Sequence, residues 1–500
     1  MSASGSRGDT DAGRDPDAGR ERDAGREPDT GQDVDTGRDR GPGGDAGARH
    51  ETGRGGDAGA GRTSGPRRRV LVVSQDRLDG QVAGTSIRAL ELARALAVDH
   101  DVVLAGVGDP PATVAGLPCV GYDPQHPGAL RAVLATVDVA VTLPQWPPLM
   151  RLLRASGVPT IYDLYVPQAL EIIGGFAGLR PRITHAMTEF AVDRTVEALR
   201  HGHAFLCATE KQRDLYLGML LAERLVDGPR YRADPSLRSL IDVVPFGLPD
   251  GRATSTGSGG PRDAFEAIGP DDDVVLWNGG VWPWLDPITA VRAVAHLAQR
   301  RPTVRLVFMG AASQVAAQRT SEQARDEARR LGVLDRHVFF HEHWVGYDDR
   351  ADWLLQADCA LYAHHDHLET RFAFRTRLLD CFWAGLPVVC TGGDDLSERV
   401  DREGAGRIFA PGDIEGCADA LDAVLDGGRG PFAPALDRLA DHYRWTSVAE
   451  PLGRMVVVAG DPVGRAPRRT VRPGHLARHH GYRALRVALD LVGLRDRPRV

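Results

Sequence analysis

The 500-residue chain lacks several features that would define its class. It has no apolar run long enough to cross a bilayer as a helix, and its polar first residues contain no signal-peptide core. Its six cysteines are scattered and form no C-x-x-C pair, which argues against a disulfide framework and a zinc site. The net charge of −7 argues against a generic nucleic-acid binder. We therefore expect a cytoplasmic protein of two or three domains with no nucleic-acid partner.

Residues 1–66 are almost free of large apolar side chains. They carry a six-residue repeat, Asp-Ala-Gly-Arg, which starts at Asp11, Asp17 and Asp23 and continues in altered form at Asp29 and Asp35. Each repeat has so little to bury that ordering could not offset its conformational entropy cost. We interpret 1–66 as a disordered tail.

The rest of the chain alternates short apolar runs with helical patterns, which is typical of α/β proteins with parallel sheets. The first unit is a strand at 70–73, a helix at 87–97 and a strand at 101–105. Further strands are predicted at 139–143, 160–162, 204–207, 242–245, 274–277, 304–309, 337–341, 359–362 and 387–390. Asp286 and Pro287 fit the N-cap and first position of a helix that extends to about Arg300.

Composition divides this α/β region into two domains. We predict a first domain at 67–248, a Gly/Ser-rich linker at 249–268, a second domain at 269–440 and a closing helix at 441–460. Ligands of such sheets bind at the carboxyl ends of the strands, in the cleft between the domains. Residues 461–500 hold ten arginines and three acidic residues, so this tail could lie on an anionic membrane or form a solvated helix on the domain surface.

The most informative segment spans residues 369–390. It is predicted to form a loop, a helix that starts near Phe374, a Gly-Leu-Pro turn and a strand. Backbone N–H groups at the helix start and nearby guanidinium groups would suit phosphate oxygens. The arginines around this turn are Arg371, Arg375 and Arg377. Asp380 follows one to two turns later, where its carboxylate could accept hydrogen bonds from ribose hydroxyls.

Asp380-Cys-Phe-Trp-Ala-Gly-Leu-Pro-Val-Val resembles the E-A-M-A-x-G-x-P-V-V segment of family-4 retaining glycosyltransferases. Four other segments resemble the family in the same order, and they begin at Gly84, Val243, Trp277 and Gly404. The resemblance covers roughly 69–460 and implies the GT-B fold, in which two Rossmann-like domains face a cleft. It also implies transfer of a sugar from a nucleoside diphosphate sugar to an acceptor hydroxyl with retention, on a glycan or lipid-linked acceptor in polysaccharide or glycoconjugate synthesis. The nucleotide sugar would be a co-substrate, with no separate cofactor.

The chain departs from the family pattern at two places. The family has two glutamates eight positions apart, whereas this chain has Phe372 at the first position and Asp380 at the second. We expect Glu369 to reach the sugar instead. The family's Arg and Lys after the first donor-domain strand are also missing, so the cation for the diphosphate is expected to be Arg375 or Arg377. The motif F-x-F-R-T-R, starting at Phe372, would then mark a variant subgroup.

Other candidate residues belong to the predicted cleft. Asp163 ends a strand and could orient an acceptor hydroxyl, act as a base, or cap a turn. Trp282 could stack on a base or sugar or simply pack within its loop, and Lys211 and Arg213 could contact phosphates or begin a solvated helix. The predicted catalytic residues are Asp163, Glu369 and Arg375. The predicted donor-binding residues are Gly84, Lys211, Arg213, Gly279, Gly280, Trp282, Arg371, Phe374, Arg377 and Asp380.

Five histidines between 341 and 367 look like a metal cluster at first sight, but they lie beside strand ends without the supporting residues of a metal site. The family resemblance also implies no obligatory metal ligand, so we predict that no metal is bound. Two alternatives remain open. One is a nucleotide-sugar epimerase, although no catalytic acid pair is evident. The other is a non-catalytic nucleotide-sugar-binding protein, which the substitution by Phe372 and the missing lysine would fit.

Overall fold

The structure is a computed structural model that describes residues 65–79, 84–175, 180–310, 315–343 and 345–461. The predicted tails therefore lie outside the described residues, apart from Gly65, Pro66 and Asp461. No helix in the described ranges combines the length and the apolarity needed to span a membrane.

The first half of the described chain forms one sheet with helices on both faces. In chain order its elements are β1 (Arg69–Val73), α1 (Gly84–Ala97), β2 (Asp101–Val107), β3 (Thr113–Val114), β4 (Leu117–Tyr122), α2 (Arg131–Leu134), β5 (Val139–Thr142), α3 (Pro147–Ser156), β6 (Thr160–Asp163), α4 (Gln168–Gly175), α5 (Pro181–His201), β7 (Ala204–Cys207), α6 (Glu210–Ala222), α7 (Gly228–Ala233) and β8 (Ile241–Val243).

The second half forms another sheet, followed by helices that return to the first. In chain order its elements are α8 (Pro261–Ala264), β9 (Asp273–Trp277), α9 (Pro287–Leu297), β10 (Val304–Phe308), α10 (Val315–Arg330), β11 (Val338–Phe340), α11 (Arg350–Gln356), β12 (Cys359–Tyr362), α12 (Leu368–Phe372), α13 (Thr376–Trp383), β13 (Val388–Thr391), α14 (Asp395–Glu403), β14 (Gly406–Phe409), α15 (Ile414–Gly427), α16 (Ala433–His442), α17 (Trp445–Val448) and α18 (Glu450–Ala459). The 3-10 turns Pro127–Leu130 and Gly430–Phe432 precede α2 and α16.

The strand order shows where each sheet is expected to bind a ligand. The first sheet has the order β3-β4-β2-β1-β5-β6-β7-β8, and the second has the order β11-β10-β9-β12-β13-β14. All neighbours are parallel except β3 and β4. The order reverses beside β1 and beside β9, where ligands of such sheets bind. The predicted architecture of two parallel α/β sheets is confirmed.

The central strand β1 shows why these strands form from nearly continuous apolar runs. Val70 and Val72 face a core that includes Leu92 of α1, whereas Leu71 and Val73 face a second core. Both faces of the strand are covered from Val70 to Val73, so these four positions are apolar. The predicted N-cap of α9 is confirmed as well, because the Asp286 carboxylate accepts a hydrogen bond from the Thr289 amide at 3.0 Å.

The end of the described chain packs on the first sheet. The Leu248 amide donates to the Tyr443 carbonyl at 2.7 Å, and the Trp445 amide donates to the Leu248 carbonyl at 3.0 Å. Helix α18 then contacts β6, β7 and β8. The chain therefore crosses between the two sheets twice, once near Leu248 and once near Trp445.

The segment predicted as a linker is held against α11 by one carboxylate. Asp352 accepts hydrogen bonds from the Thr256 hydroxyl at 2.6 Å, the Ser258 hydroxyl at 2.9 Å and the Ser255 hydroxyl. The Thr256 and Ser258 amides also donate to it, each at 3.1 Å. The hydrogen bonds from Ser255 and Thr256 lower the pKa of Asp352 from its ordinary value. The Gly/Ser composition thus supplies donors for a fixed connection.

A second contact between the halves is made by Gln212, which is fully buried. Its side-chain amide nitrogen donates to the Tyr165 carbonyl of the first half at 2.9 Å and to the Phe372 carbonyl of the second half at 2.7 Å. Its side-chain oxygen accepts from the Ala208 amide at 2.8 Å. The two halves therefore share the hydrogen bonds of one buried amide.

Candidate functional site

A cavity of about 790 Å³ lies between the two sheets. Its lining includes residues that follow β1, β5 and β6 in the first sheet and β9, β10 and β12 in the second. Most of the residues predicted from sequence line it: Gly84, Asp163, Gly279, Gly280, Trp282, Glu369, Phe374, Arg375, Arg377 and Asp380. The cavity therefore brings together predicted residues that are as far apart in sequence as Gly84 and Asp380.

Three predicted donor-binding residues do not line this cavity. The Lys211 ammonium pairs with Glu398 at 2.6 Å. Arg213 donates to the Ile241 carbonyl at 2.9 Å and to the Ser236 carbonyl, so its guanidinium is satisfied within the first half. Arg371 is exposed, with its nearest aromatic contact to the neighbouring Phe372 ring at 5.7 Å. Helix position alone did not indicate which side of each helix faces the cavity.

The loop after β9 approaches α13 through its backbone. Gly279 has φ of 126°, and a methyl group placed there would lie 2.9 Å from the Arg377 Nε. The Asn278 side-chain amide donates to the Arg377 carbonyl at 2.9 Å. On the other side of the loop, a methyl group on Gly310 would lie 2.7 Å from the Gly279 carbonyl carbon. Gly279 is therefore needed both for its positive φ and for the space it leaves to Arg377.

Two arginines at the start of α13 have different electrostatic surroundings. Arg375 makes a two-pronged ion pair with Glu369, with N–O distances of 3.1 and 2.6 Å, and both side chains are buried. The guanidinium of Arg377 makes no ion pair or hydrogen bond with any described residue, and its Nη1 is buried. Its centre lies 5.9 Å from the middle of the Tyr362 ring. Arg375 is therefore neutralised, whereas Arg377 presents an uncompensated positive charge to the cavity.

The pKa values of these arginines reflect the same difference. Burial lowers the pKa of Arg375, but Tyr362, Glu369 and Asp394 outweigh it, so the pKa is raised overall. Burial lowers the pKa of Arg377, and the neighbouring Arg375 cation lowers it further against the opposing effects of Tyr362 and Asp380. The charge on Arg377 is the one that an incoming anion would stabilise most.

Asp380 is held by a residue that the sequence did not single out. The Arg350 Nε donates to one Asp380 carboxylate oxygen at 3.0 Å. The Arg350 guanidinium also lies against the rings of Tyr347 and Trp383, at 3.5 and 4.6 Å from their centres. Burial lowers the pKa of Arg350, but Asp380 and Tyr347 outweigh this effect and raise it overall. The second oxygen of Asp380 accepts no hydrogen bond from the described residues, so it could accept one from a ligand hydroxyl.

Asp163 forms a buried ion pair with Arg88, a second arginine that the sequence did not single out. Arg88 of α1 donates to both Asp163 oxygens, at 2.5 and 3.0 Å, and the two side chains are buried. Arg88 also donates to the carbonyls of Val244 and Pro245, at 2.7 and 2.9 Å. The arrangement ties α1, β6 and the end of β8 together. Asp163 therefore has a structural role, and it lacks the free carboxylate that a base requires.

Trp282 and Trp284 form a stacked pair in the loop after β9. Their ring centres are 5.2 Å apart and their planes differ by 1°. Both rings line the cavity, opposite the α4 helix of the first half. A methyl group on Gly175 of α4 would lie 2.8 Å from the Trp284 ring, so this glycine permits the close approach. The stacked pair forms an apolar wall of the cavity.

The F-x-F-R-T-R motif joins two short helices, which differs from the single helix start predicted for it. One short helix, α12, ends at Phe372, and a second, α13, begins at Thr376 with Arg375 as its N-cap. The extended Ala373 between them turns the chain, which lets Glu369 fold back onto Arg375. The sequence predicted only one helix start, near Phe374.

The histidines and cysteines have ordinary surroundings. His364 is buried, with its Nε2 3.5 Å from an Asp394 oxygen, and His341 packs on the Trp353 ring at 4.6 Å. In the described ranges, no three potential ligand side chains come together as a metal site. The six cysteines are all buried free thiols, as their scattered spacing predicted.

Two parallel Rossmann-like sheets around a shared cavity define the GT-B class. α,α-Trehalose 6-phosphate synthase from Burkholderia multivorans matches 81% of this chain and 100% of its own, with 13% identity and a TM-score of 0.55. HepE from Anabaena, solved in complex with UDP and glucose, matches 78% of this chain and 99% of its own, with 13% identity and a TM-score of 0.54. At these identities the similarity establishes the fold, and the predicted GT-B architecture is confirmed.

The sequence comparison finds similarity to one family in the second half. Residues 272–427 match the sequence model of the family described as "Glycosyl transferases group 1". The D-inositol 3-phosphate glycosyltransferase of Actinosynnema mirum is 28% identical over 227 residues, which cover 44% of this chain. The chain spans about half of that relative, 52% of its length. The second half, with Arg377 and Asp380, thus carries the sequence signature of the group 1 glycosyltransferases.

Proposed function

We propose that this protein is a glycosyltransferase that moves a sugar from a nucleoside diphosphate sugar to an acceptor hydroxyl. The observation that carries the proposal is the Arg377 guanidinium, which faces the cavity without a counter-ion among the described residues. An uncompensated charge in a partly buried site is unfavourable, and a diphosphate supplies the missing anion through charge-assisted hydrogen bonds. The group 1 signature of residues 272–427 supports the same assignment.

The donor is oriented by groups that surround Arg377. The diphosphate would lie between Arg377, the Gly279–Gly280 backbone and the first turn of α13. The ribose hydroxyls would donate to the free oxygen of Asp380. The sugar would then extend towards Glu369 and the wall formed by Trp282, where a carboxylate and an aromatic face suit a carbohydrate.

This arrangement accounts for catalysis without a side-chain nucleophile. When the bond between the anomeric carbon and the diphosphate breaks, negative charge develops on the leaving oxygen. Arg377 and the α13 amides would already point at that charge, so they stabilise the transition state without reorganising. The cleft holds donor and acceptor next to one another, which removes the entropy cost of their encounter.

The finer parts of the proposal come from the resemblance to the family-4 enzymes. They are a hexose-like sugar, retention of configuration, a glycan or lipid-linked acceptor and a place in polysaccharide or glycoconjugate synthesis. The proposal includes no cofactor and no metal. It places the protein in the cytoplasm, with contact to a membrane through the basic tail 461–500, most of which lies outside the described residues.

The test compares Arg377→Ala with Arg371→Ala, which removes an exposed arginine immediately before the same motif. We expect wild type to bind UDP or another nucleoside diphosphate in a calorimetric panel. Loss of a hydrogen-bonded charge pair costs about 1.5–3 kcal/mol, so R377A should bind roughly 10- to 150-fold more weakly. R371A should match wild type. Equal affinity of R377A and wild type would contradict the proposed donor site.

Product analysis separates the proposed activity from its alternatives. A panel of nucleotide sugars is incubated with the protein, and nucleoside diphosphate release is measured. A glycosyltransferase releases the diphosphate, with water as a slow acceptor, whereas an epimerase returns an isomer with the diphosphate still attached. Tight nucleotide binding with no release from any donor would favour the non-catalytic alternative.

A further inference from the structure

Glu171 of α4 lines the cavity opposite the donor-binding half. Its helix packs against α12 of the other half, and Gly175 leaves room there for the Trp284 ring. A methyl group on Gly174 would lie 3.7 Å from the Glu369 Cβ, and one on Gly175 would touch the Trp284 ring. Glu171 is therefore a residue of the first half that lines the cavity close enough to Glu369, the residue proposed to contact the donor sugar, to be affected by its charge.

The carboxylate of Glu171 has no hydrogen bond or ion pair with any described residue. The charged groups that act on it are Glu369 of α12 and Arg375 at the start of α13. Arg194 of the adjacent α5 lines the same cavity, and the titratable His367, which precedes α12, lies near Gly174 of α4. Glu369 already neutralises Arg375. Burial, together with repulsion from Glu369, raises the pKa of Glu171 to about 7. The group can thus exist in both protonation states near neutral pH.

The other acidic residue of the first half that lines this cavity is Asp163, and it is not available for proton transfer. Both of its oxygens accept hydrogen bonds from the buried Arg88. Releasing a proton to Asp163 would place a neutral acid beside an unpaired buried arginine, which is strongly unfavourable. Among the described acidic residues that the first half contributes to the cavity, Glu171 is the one with a free carboxylate.

We propose that Glu171 is the base that accepts the proton of the attacking acceptor hydroxyl, a role that rests on the proposed glycosyltransferase function. The acceptor oxygen forms a bond to the anomeric carbon from the face that the diphosphate leaves, as the proposed retention requires, while its proton passes to the Glu171 carboxylate. The bond from that carbon to the diphosphate oxygen breaks, and the diphosphate leaves with the electron pair beside Arg377. The proton then returns to solvent, which restores the ionised Glu171.

The test uses the full chain and the nucleotide sugar from the panel above that gives the highest rate of nucleoside diphosphate release, with water as acceptor. Glu171→Gln keeps the shape of the side chain and removes its basicity. Glu189→Gln, on the exposed face of α5, is the matched control. A general base contributes about 10²–10⁴-fold, so we expect E171Q to lose that factor in kcat. The KM for the donor and the affinity for UDP should stay within about twofold of wild type.

The pH profile provides a readout that a structural role would not change. For wild type, kcat should rise with pH and level off above about pH 7, where Glu171 becomes ionised. E171Q should lack this rise, whereas E189Q should retain it. Glu171→Asp, which shortens the side chain by one methylene, should retain the rise with a reduced kcat.

The outcomes distinguish the two proposals. If wild type releases diphosphate and E171Q has the same kcat and pH profile, the role of Glu171 is refuted and the glycosyltransferase proposal stands. If wild type acts on no nucleotide sugar, the function fails and the role of Glu171 fails with it. If E171Q no longer binds UDP and is therefore misfolded, E171D replaces it, and an unchanged kcat of E171D overturns the role.

Discussion

The buried pair of Arg88 and Asp163 allows a structural role and a catalytic role of Asp163 to be separated. Arg88→Met removes the charge but keeps an unbranched apolar side chain of similar length. It leaves the Asp163 carboxylate, which is almost fully buried, without its only partner among the described residues. Breaking such a pair from one side costs about 3–5 kcal/mol. The carbonyls of Val244 and Pro245 lose a donor as well, so the upper part of this range is expected.

The assay is thermal unfolding of the wild type and three variants, followed by circular dichroism. A loss of 3–5 kcal/mol corresponds to a Tm decrease of roughly 6–20 °C at about 2–4 °C per kcal/mol. Arg67→Met is the control, because its partner Asp101 is exposed and surface pairs contribute little. The double variant R88M/D163L should recover part of the loss, since it removes the uncompensated charge.

Two results would refute this reasoning. One is an R88M variant whose Tm lies within 2 °C of wild type. The other is an Asp163→Asn variant that unfolds like wild type but has lost turnover, which would identify Asp163 as a catalytic group. We expect D163N to lower the Tm and to keep the pH profile of kcat unchanged.

Three further predictions concern other sites. Gly279→Ala should weaken UDP binding about as much as R377A in calorimetry, since its methyl group meets Arg377. The control Gly218→Ala, on the exposed side of α6, adds a methyl group with no atom within 4 Å and should bind normally. The pKa of Glu171 is raised to about 7 in the folded protein, so the protonated carboxyl favours folding below pH 4.5, and this contribution to the free energy of unfolding is lost as pH rises through about 7. Because glutamine cannot ionise, E171Q should raise the Tm at pH 8 and change it little at pH 5. Asp352→Asn should accelerate limited proteolysis within the linker, because it weakens the hydrogen bonds that hold this segment, and unchanged cleavage would contradict that role.

The sequence was sufficient to predict strands that are buried on both faces and helices that have a local N-cap. Strand β1 and helix α9 are examples, since apolar continuity and Asp286 determine them locally. Strand β4 was missed because Pro118 and Gly121 interrupt its apolar pattern. Strand β14 was missed because the middle of this sheet-edge strand is exposed. The α4–α5 pair between β6 and β7 was not predicted either, and it carries Glu171.

The sequence predicted most residues of the candidate site, but it did not predict which of them form ion pairs with one another. The motif indicated that arginines would lie near a diphosphate, but it did not indicate which of them would be free. That depends on the turn at Ala373, which directs Glu369 to Arg375 and leaves Arg377 unpaired. Arg88 and Arg350 were missed for a similar reason, because they reach Asp163 and Asp380 from elements 75 and 30 residues away.

The buried amide of Gln212 has a consequence for how the cleft opens. If the halves separate, its bond to the Phe372 carbonyl breaks while its bonds to Tyr165 and Ala208 stay within the first half. One such bond contributes about 0.5–1.5 kcal/mol net, a factor of roughly 2 to 12 in the ratio of closed to open molecules. A hydrogen bond of this strength favours the closed form of the empty protein, but thermal motion can break it. At α6, substrate entry and product exit therefore require the loss of this hydrogen bond and of the ion pair between Lys211 and Glu398.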